Sequence, residues 1–255
     1  MSLISLIHYW KLVFRSVLFL AATAFYILFR PTDTRIIFDG QLEVTLILAV
    51  IWVLFVVEMI LRFFPSKLES MGCQKQFSKN YVPLQKDAHL VIAGRSRERL
   101  LPVILFWVAL NGCVGALYFM GAIDEYLLLV ISLAYAVCDM ICILFFCPFQ
   151  TWIMKNKCCG SCRIYNWDYA MMFTPLLFVP RFYTWSLFGM GLLLLITWEI
   201  LYHRHPERFS VQLNASLSCA NCPEKLCQHK KQLHRFWLRE KERLLNLVNR
   251  NASDE

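Results

Sequence analysis

Long hydrophobic runs dominate the chain, and its polar residues gather in shorter segments between them. Four of these runs are about 20 residues long, which is the length that an α-helix needs to cross the hydrocarbon core of a bilayer. They cover residues 10–29, 42–64, 100–123 and 126–147. The pattern predicts four transmembrane helices that are joined by polar loops.

A fifth apolar region, residues 169–202, does not fit a simple crossing. As a single helix it would be roughly 50 Å long, and Pro175, Pro180 and Arg181 interrupt it. In one arrangement, 169–180 lies at the interface or kinks, the rest crosses once, and the tail lies outside. In the other, 169–180 enters as a half-helix and the rest returns, so that the tail stays inside. The basic residues of the tail favour the second arrangement.

The predicted fold is all-α. Residues 1–203 form a polytopic helical membrane domain with about five transmembrane helices, the fifth broken by proline, and residues 204–255 form a basic tail with cysteines. Within the tail, residues 229–250 predict an amphipathic helix whose apolar face is surrounded by basic residues. Such a helix binds anionic lipid head groups. Packing on the protein's own loops is an equal alternative.

Composition and charge support a membrane location. Hydrophobic residues make up 58% of the 255 residues and charged residues only 17%, against about 25% charged residues in soluble domains. The net charge is +8, and segment 65–99 alone holds seven basic and three acidic residues. Because Lys and Arg mark cytoplasmic loops, we place 65–99, 148–168 and the N-terminus in the cytoplasm. No nucleic-acid-binding motif is visible, so the predicted partner is the lipid bilayer.

The 11 cysteines are numerous for this length, and seven of them form two groups that flank the hydrophobic runs, the first beginning at the last residue of run 126–147. Each group contains a Cys-x-x-Cys pair, which directs two thiolates at one point, and two such pairs complete the tetrahedral shell of a soft metal. Thiolates suit zinc, copper(I) and iron–sulfur clusters, and we predict zinc or an iron–sulfur cluster at the cytoplasmic face. The predicted ligands are Cys158, Cys159, Cys162, Cys219, Cys222 and Cys227, with Cys147 and His229 as further candidates.

A thiol–disulfide oxidoreductase is an alternative function. Cys159 and Cys162 form a C-G-S-C sequence that is similar to redox-active Cys-x-x-Cys pairs. No residue pattern of a hydrolase or a kinase is visible, so we assign no catalytic residue.

Ionisable residues within the predicted spans mark candidate functional positions. Glu58 and Arg62 are four residues apart on one helix face and are predicted to pair. Arg62 is also expected near an interface, where a charge costs little. Lys11 and Arg15 lie near the start of the first span, where long basic side chains extend to the interface.

Asp139 is the intramembrane charge that is hardest to explain by closeness to an interface. Its predicted partner is Arg181 or Lys11. Together with the proline-broken region, Asp139 suggests a small-solute transporter as another alternative. The neighbouring Cys138 and Cys142 lie in an apolar span and are predicted to be packing residues.

Several motifs resemble those of an uncharacterised family of polytopic bacterial membrane proteins with cysteine-rich cytoplasmic segments. The resemblance covers about the C-terminal half and rests on C-P-F-Q at 147–150, M-M-F-T-P at 171–175, H-P-E-R-F at 205–209, and segments 157–168 and 219–227. It implies an integral protein of the bacterial inner membrane and implies no activity.

Overall fold

The computed structural model describes residues 3–29, 42–65, 74–84, 100–154 and 162–218, together with Arg239. This part of the chain is all-helical and contains no β-strand beyond an isolated bridge between Pro83 and Asn214, which confirms the all-α prediction for it. The predicted amphipathic helix at 229–250 lies outside the described residues, except for Arg239. The six α-helices of the described part are α1 (Leu3–Phe29), α2 (Leu42–Leu61), α3 (Leu100–Phe119), α4 (Glu125–Leu144), α5 (Asp168–Phe173) and α6 (Phe182–Arg204).

Four helices, α1, α3, α4 and α6, are long and apolar enough to cross a membrane. The described apolar part of α2, Leu48–Leu61, is shorter. Most helices start or end within a few residues of the predicted runs, but α1 begins at Leu3 instead of residue 10. The turn before α4 is sharp because Gly121 has a φ of 76°, which glycine adopts without strain. Asp124 then caps α4 by accepting a hydrogen bond from the next helical turn.

Helices α1 and α4 lie antiparallel along most of their length. The rings of Tyr26 and Tyr126 stack with their centroids 5.5 Å apart. At the other end of the pair, the ring of Tyr9 contacts the ring of Phe145. This packing places Arg15, midway along α1, beside the second half of α4.

The fifth apolar region folds back on itself inside the bundle. Asp168–Phe173 forms α5, Thr174–Phe178 continues as a 3₁₀-helix, and α6 follows. The two arms run antiparallel and approach closely, since a Cβ atom on Gly191 of α6 would lie 3.1 Å from backbone atoms of Tyr169 and Ala170. The two arms thus form a hairpin, and the entry of the first arm into the membrane stays a prediction.

The interrupted first arm is enclosed by other helices. Its residues Tyr169, Phe173 and Leu176 are buried. At the far end of this arm, the ring of Phe178 packs against Gly115 of α3, which has no side chain. A Cβ atom at that position would lie only 2.5 Å from the ring. This enclosure is what allows the break in the helix, because irregular backbone is tolerated at membrane depth only where protein surrounds it.

The connecting segments gather at one end of the bundle, which we call the loop end. The side-chain amide of Asn166 donates a hydrogen bond to Gln76 at 2.9 Å, and the backbone amide of Ala215 donates to the carbonyl of Val82 at 2.8 Å. The start of the tail therefore packs on the segment that follows α2. The loop end consists of residues 62–65, 74–84, 145–154, 162–167 and 205–218.

The side chain of Asn214 links the start of the tail to the rest of the loop end through hydrogen bonds. Its side chain is 0% exposed and donates hydrogen bonds to the carbonyls of Lys75 at 3.0 Å and Arg208 at 2.8 Å. Its carbonyl oxygen accepts a hydrogen bond from the amide of Ser216 at 3.0 Å. One side chain thus joins three stretches of backbone.

We expect Asn214→Ala to lose about 2–4 kcal/mol of the free energy of unfolding, because buried polar groups left without a partner cost about 1–3 kcal/mol each. Asn214→Asp keeps the acceptor but places a buried carboxylate oxygen against the carbonyls of Lys75 and Arg208, so its loss should be at least as large. Gln212→Ala, at an exposed neighbouring position, is the control and should have no effect. Reversible unfolding in mixed micelles measures all three, and a fully stable Asn214→Ala variant would contradict this role.

Candidate functional site

A group of charged side chains connects α1, α2 and α4 close to the loop end. Arg15 lies at its centre and is 2% exposed. Its guanidinium donates hydrogen bonds to Glu58 at 2.9 Å, to Asp139 at 3.0 Å and to the backbone carbonyl of Ala136 at 3.2 Å. The amine of Lys11, one helical turn away, lies 3.4 Å from the other oxygen of Glu58. A single arginine therefore joins three helices.

A second buried ion pair extends this group to α5. The nitrogens Nη1 and Nη2 of Arg62 lie 2.6 Å from the two carboxylate oxygens of Asp168, a bidentate geometry that gives strong pairing. Tyr169 connects the two pairs, because its hydroxyl donates to Glu58 at 2.9 Å and its ring lies 4.6 Å from the guanidinium of Arg62. Three basic and three acidic side chains form the charge cluster: Lys11, Arg15, Arg62, Glu58, Asp139 and Asp168.

The predicted pair of Glu58 and Arg62 is wrong, and so is the prediction that the side chain of Arg15 extends to an interface. Glu58 and Arg62 share a helix face, yet each binds a partner on another helix. Arg15 does not extend to an interface, and both arginines are 2% exposed. The physical reason is that carboxylates on neighbouring helices lie within hydrogen-bond distance, so each guanidinium is compensated by protein instead of water.

The predicted partner of Asp139 is wrong as well. Asp139 binds Arg15, whereas Lys11 binds Glu58 and Arg181 occupies the N-cap position of α6. The charge cluster thus includes two of the three predicted intramembrane polar residues, Glu58 and Asp139.

Glu199, near the end of α6, also has close protein partners. Arg163 binds its carboxylate through two nitrogens, with Nε at 3.1 and 3.2 Å from the two oxygens. The indole of Trp167 donates a further hydrogen bond at 2.8 Å. The side chains of this ion pair are 15% and 20% exposed, so it is better hydrated than the pair of Arg62 and Asp168.

A cavity of about 130 Å³ lies next to the charge cluster, between α3, α4, α5 and the segments that flank them. Asp139 and Asp168 belong to both features, since their side chains also line the cavity. Its volume is well below the roughly 300–1,000 Å³ of sites for drug-sized ligands, and suits an ion or a few atoms. We call it the thiol cavity because four cysteines line it: Cys138, Cys142, Cys147 and Cys162.

The thiol cavity contains the two predicted metal ligands that the structure describes, Cys147 and Cys162. The others lie outside the described residues, so their grouping stays a prediction: Cys158, Cys159, Cys219, Cys222, Cys227 and His229. The structure adds Cys138 and Cys142, for which the sequence predicts only a packing role. Within the part of the chain that is described, no three His, Cys, Asp or Glu side chains are already placed to hold a metal ion.

An irregular stretch of backbone brings Cys147 to Cys142. In a regular helix, residues five apart point in directions that differ by about 140°. Here α4 ends at Leu144, and the chain bends at Pro148 into a π-helical turn. The bend consequently brings Cys142 and Cys147 into the lining of the same cavity.

Sequence reasoning missed Arg15, Asp168 and Tyr169 as site residues. One signal could have found Arg15. Lys11 and Arg15 are four residues apart on α1, as Glu58 and Arg62 are on α2, so each of these helices carries two charged residues on one face. Asp168 and Tyr169 offer no comparable signal, because polar residues at the edge of an apolar run are typical of an interface.

No protein family matches the chain, and comparisons with curated proteins and with solved structures found no match either. The resemblance to polytopic bacterial membrane proteins therefore stays a prediction. What the protein does has to be inferred from the charge cluster and the thiol cavity.

Proposed function

We propose that the protein is a polytopic protein of the bacterial inner membrane that binds a thiophilic metal ion in the thiol cavity. The observation that carries this proposal is the meeting of Cys147, which follows α4, and Cys162, which precedes α5, in one small cavity. The role of the metal would be structural, sensory or electron-carrying. The fold supports the membrane location through four helices that are apolar enough to cross a bilayer.

The surroundings of these two thiols suit metal-bound thiolates. The backbone amide of Gln150 donates a hydrogen bond to the sulfur of Cys147 at 3.4 Å, and such a donor favours the ionised sulfur. Cys162 is 3% exposed and packs with Val103 and Ile164. A thiolate buried among apolar side chains needs a nearby cation to offset its lost hydration, and a bound metal ion supplies that charge.

Metal analysis of anaerobically purified protein tests the proposal. We expect about one equivalent of zinc, iron or copper, and we expect Cys147→Ser and Cys162→Ser to lose most of it, because thiolates are the metal ligands. Cys113→Ser is the control, since Cys113 is exposed on α3 and does not line the cavity. The proposal fails if the wild-type protein holds no stoichiometric metal and Cys147 and Cys162 react freely with an alkylating reagent.

We also propose that the loop end faces the cytoplasm, together with the N-terminus and the tail. The basic surplus of segment 65–99 supports this side. Three hydrogen bonds between connecting segments support their location on the same side of the membrane. They join Asn166 to Gln76, Ala215 to Val82, and Asn214 to Lys75.

Two reporter fusions test this topology. A fluorescent protein fused after Glu255 should fluoresce, and alkaline phosphatase inserted at Gly121, in the turn between α3 and α4, should be active, because the phosphatase requires export. A phosphatase that is active after Glu255 and inactive at Gly121 would reverse the proposed orientation.

A further inference from the structure

The thiol cavity is rich in sulfur beyond its four cysteines. Met171 and Met172 also line it, and no histidine belongs to the described residues around it. Met172 is 1% exposed, so its side chain faces protein and not lipid. Six sulfur-bearing side chains therefore surround one small space at the loop end.

This choice of ligands separates one class of metal from the others. Zinc is bound by Cys, His and carboxylate side chains, whereas thioethers together with thiolates select Cu(I). Cu(I) is also satisfied by two sulfur ligands, and Cys142 and Cys147 line the same small cavity on either side of the point where α4 ends. The cavity wall thus contains cysteine and methionine residues, which are the ligand types of a soft site.

We propose that the thiol cavity binds a soft monovalent metal ion of the Cu(I) class, with Cys142 and Cys147 as its thiolate ligands and Met171 or Met172 as the thioether ligand. This inference rests on the proposed metal-binding function, specifies its metal, and names Cys142 in place of Cys162 as the thiolate ligand beside Cys147. Cys142 is not among the ligands that the sequence predicts, so the test below can separate the two proposals.

Binding follows a simple balance of bonds and charge. Two S–H bonds break, two S–Cu bonds form, and both protons leave to solvent, while copper stays Cu(I) throughout. The site gains one net negative charge. Asp139 and Asp168 in the cavity wall are already paired with Arg15 and Arg62, so their negative charges are compensated. Because two protons are released, the apparent affinity should fall by up to about 100-fold per pH unit on acidification.

Protection from alkylation tests the inference on the unaltered full-length protein. Reduced protein in detergent micelles is treated anaerobically with one equivalent of Cu(I), supplied as its bicinchoninate complex, and then with an alkylating reagent. We expect mass spectrometry to show Cys142 and Cys147 protected, while the exposed Cys113 reacts as it does without metal. Cu(I) that leaves Cys142 unprotected would overturn the inference.

Competition with bicinchoninate for Cu(I) measures the Cu(I) affinity of the wild-type protein and of matched variants. We expect the double variant Met171→Leu and Met172→Leu to bind Cu(I) at least about tenfold more weakly, the low end of the loss seen when a supporting group of a metal site is removed. Met140→Leu is the control, because Met140 is equally buried on α4 but does not line the cavity. Equal affinities for the double variant and the control would overturn the thioether ligand.

The parallel experiment with Zn²⁺ distinguishes failure of this inference from failure of the proposed function. Protection of Cys147 and Cys162 by Zn²⁺, without protection of Cys142 by Cu(I), would overturn the Cu(I) site and leave the proposed function standing. Protection by neither metal would overturn both.

Discussion

We expect Arg15→Met to lose about 3–5 kcal/mol of the free energy of unfolding. Arg15 is 2% exposed and holds the carboxylates of Glu58 and Asp139 at 2.9 and 3.0 Å. Methionine fills similar space but carries no charge, so both carboxylates lose a buried cation. Removing one partner of a buried ion pair costs about this amount because the remaining charge is left uncompensated. Reversible unfolding in mixed micelles measures the loss.

Two further variants show whether the loss comes from charge. Adding Glu58→Gln and Asp139→Asn to Arg15→Met removes the uncompensated charges, and most of the stability should return. Arg204→Met removes an exposed arginine at the end of α6, and it should change stability by less than about 0.5 kcal/mol. The cluster would not have the proposed role if Arg15→Met and Arg204→Met were equally stable.

The pair of Arg62 and Asp168 should give the second large effect. We expect Arg62→Met and Asp168→Asn each to lose about 3–5 kcal/mol, since each leaves one buried charge without its partner. The double variant should lose much less than the sum of the two, and the difference is the interaction energy of the pair. A double-mutant cycle of unfolding free energies measures that energy directly.

The partly hydrated pair of Arg163 and Glu199 is the natural comparison for this cycle. Its side chains are 15% and 20% exposed, against 3% and 6% for Arg62 and Asp168. Because water offsets the loss of a partner, the cycle of Arg163→Met and Glu199→Gln should give an interaction of about 1 kcal/mol or less. Equal interaction energies for the two pairs would contradict the importance of burial.

The helices themselves follow from the sequence because hydropathy is a property of each segment alone. The runs 42–64, 100–123 and 126–147 match α2, α3 and α4 within a few residues at each end. The reversal in the fifth region could also be predicted as one of two arrangements. Pro175 and Pro180 signal the break, but nothing local shows that α3, α4 and α6 surround it.

The partners of the buried charges could not be predicted in the same way. The spacing of Glu58 and Arg62 satisfies the rule for pairs on one helix, yet an exposed pair of that kind contributes only about 0.2–0.5 kcal/mol. The ion pairs that Glu58 forms with Arg15 and Arg62 forms with Asp168 each contain a buried arginine and join different helices, so they outweigh this small energy. Which faces meet depends on how the helices rotate and pack, and that information lies in residues far apart in the chain.

For the cysteines, grouping by position in the sequence identified part of the lining of the thiol cavity. It pointed to Cys147 and Cys162, which the structure brings to one cavity, and it passed over Cys142, because a cysteine inside an apolar span is typical of packing. The bend after Leu144 changes that reading, because it turns the end of α4 into one wall of the cavity.

X-ray absorption at the metal edge of anaerobically purified protein tests the central claim most directly. If the thiol cavity is a metal site, the spectrum should show sulfur neighbours at about 2.3 Å, the usual metal–thiolate distance. Cys147→Ser should lose one of those neighbours or the metal itself, while Cys113→Ser should match the wild type. A metal coordinated only by nitrogen and oxygen, or a protein without bound metal, would contradict the claim.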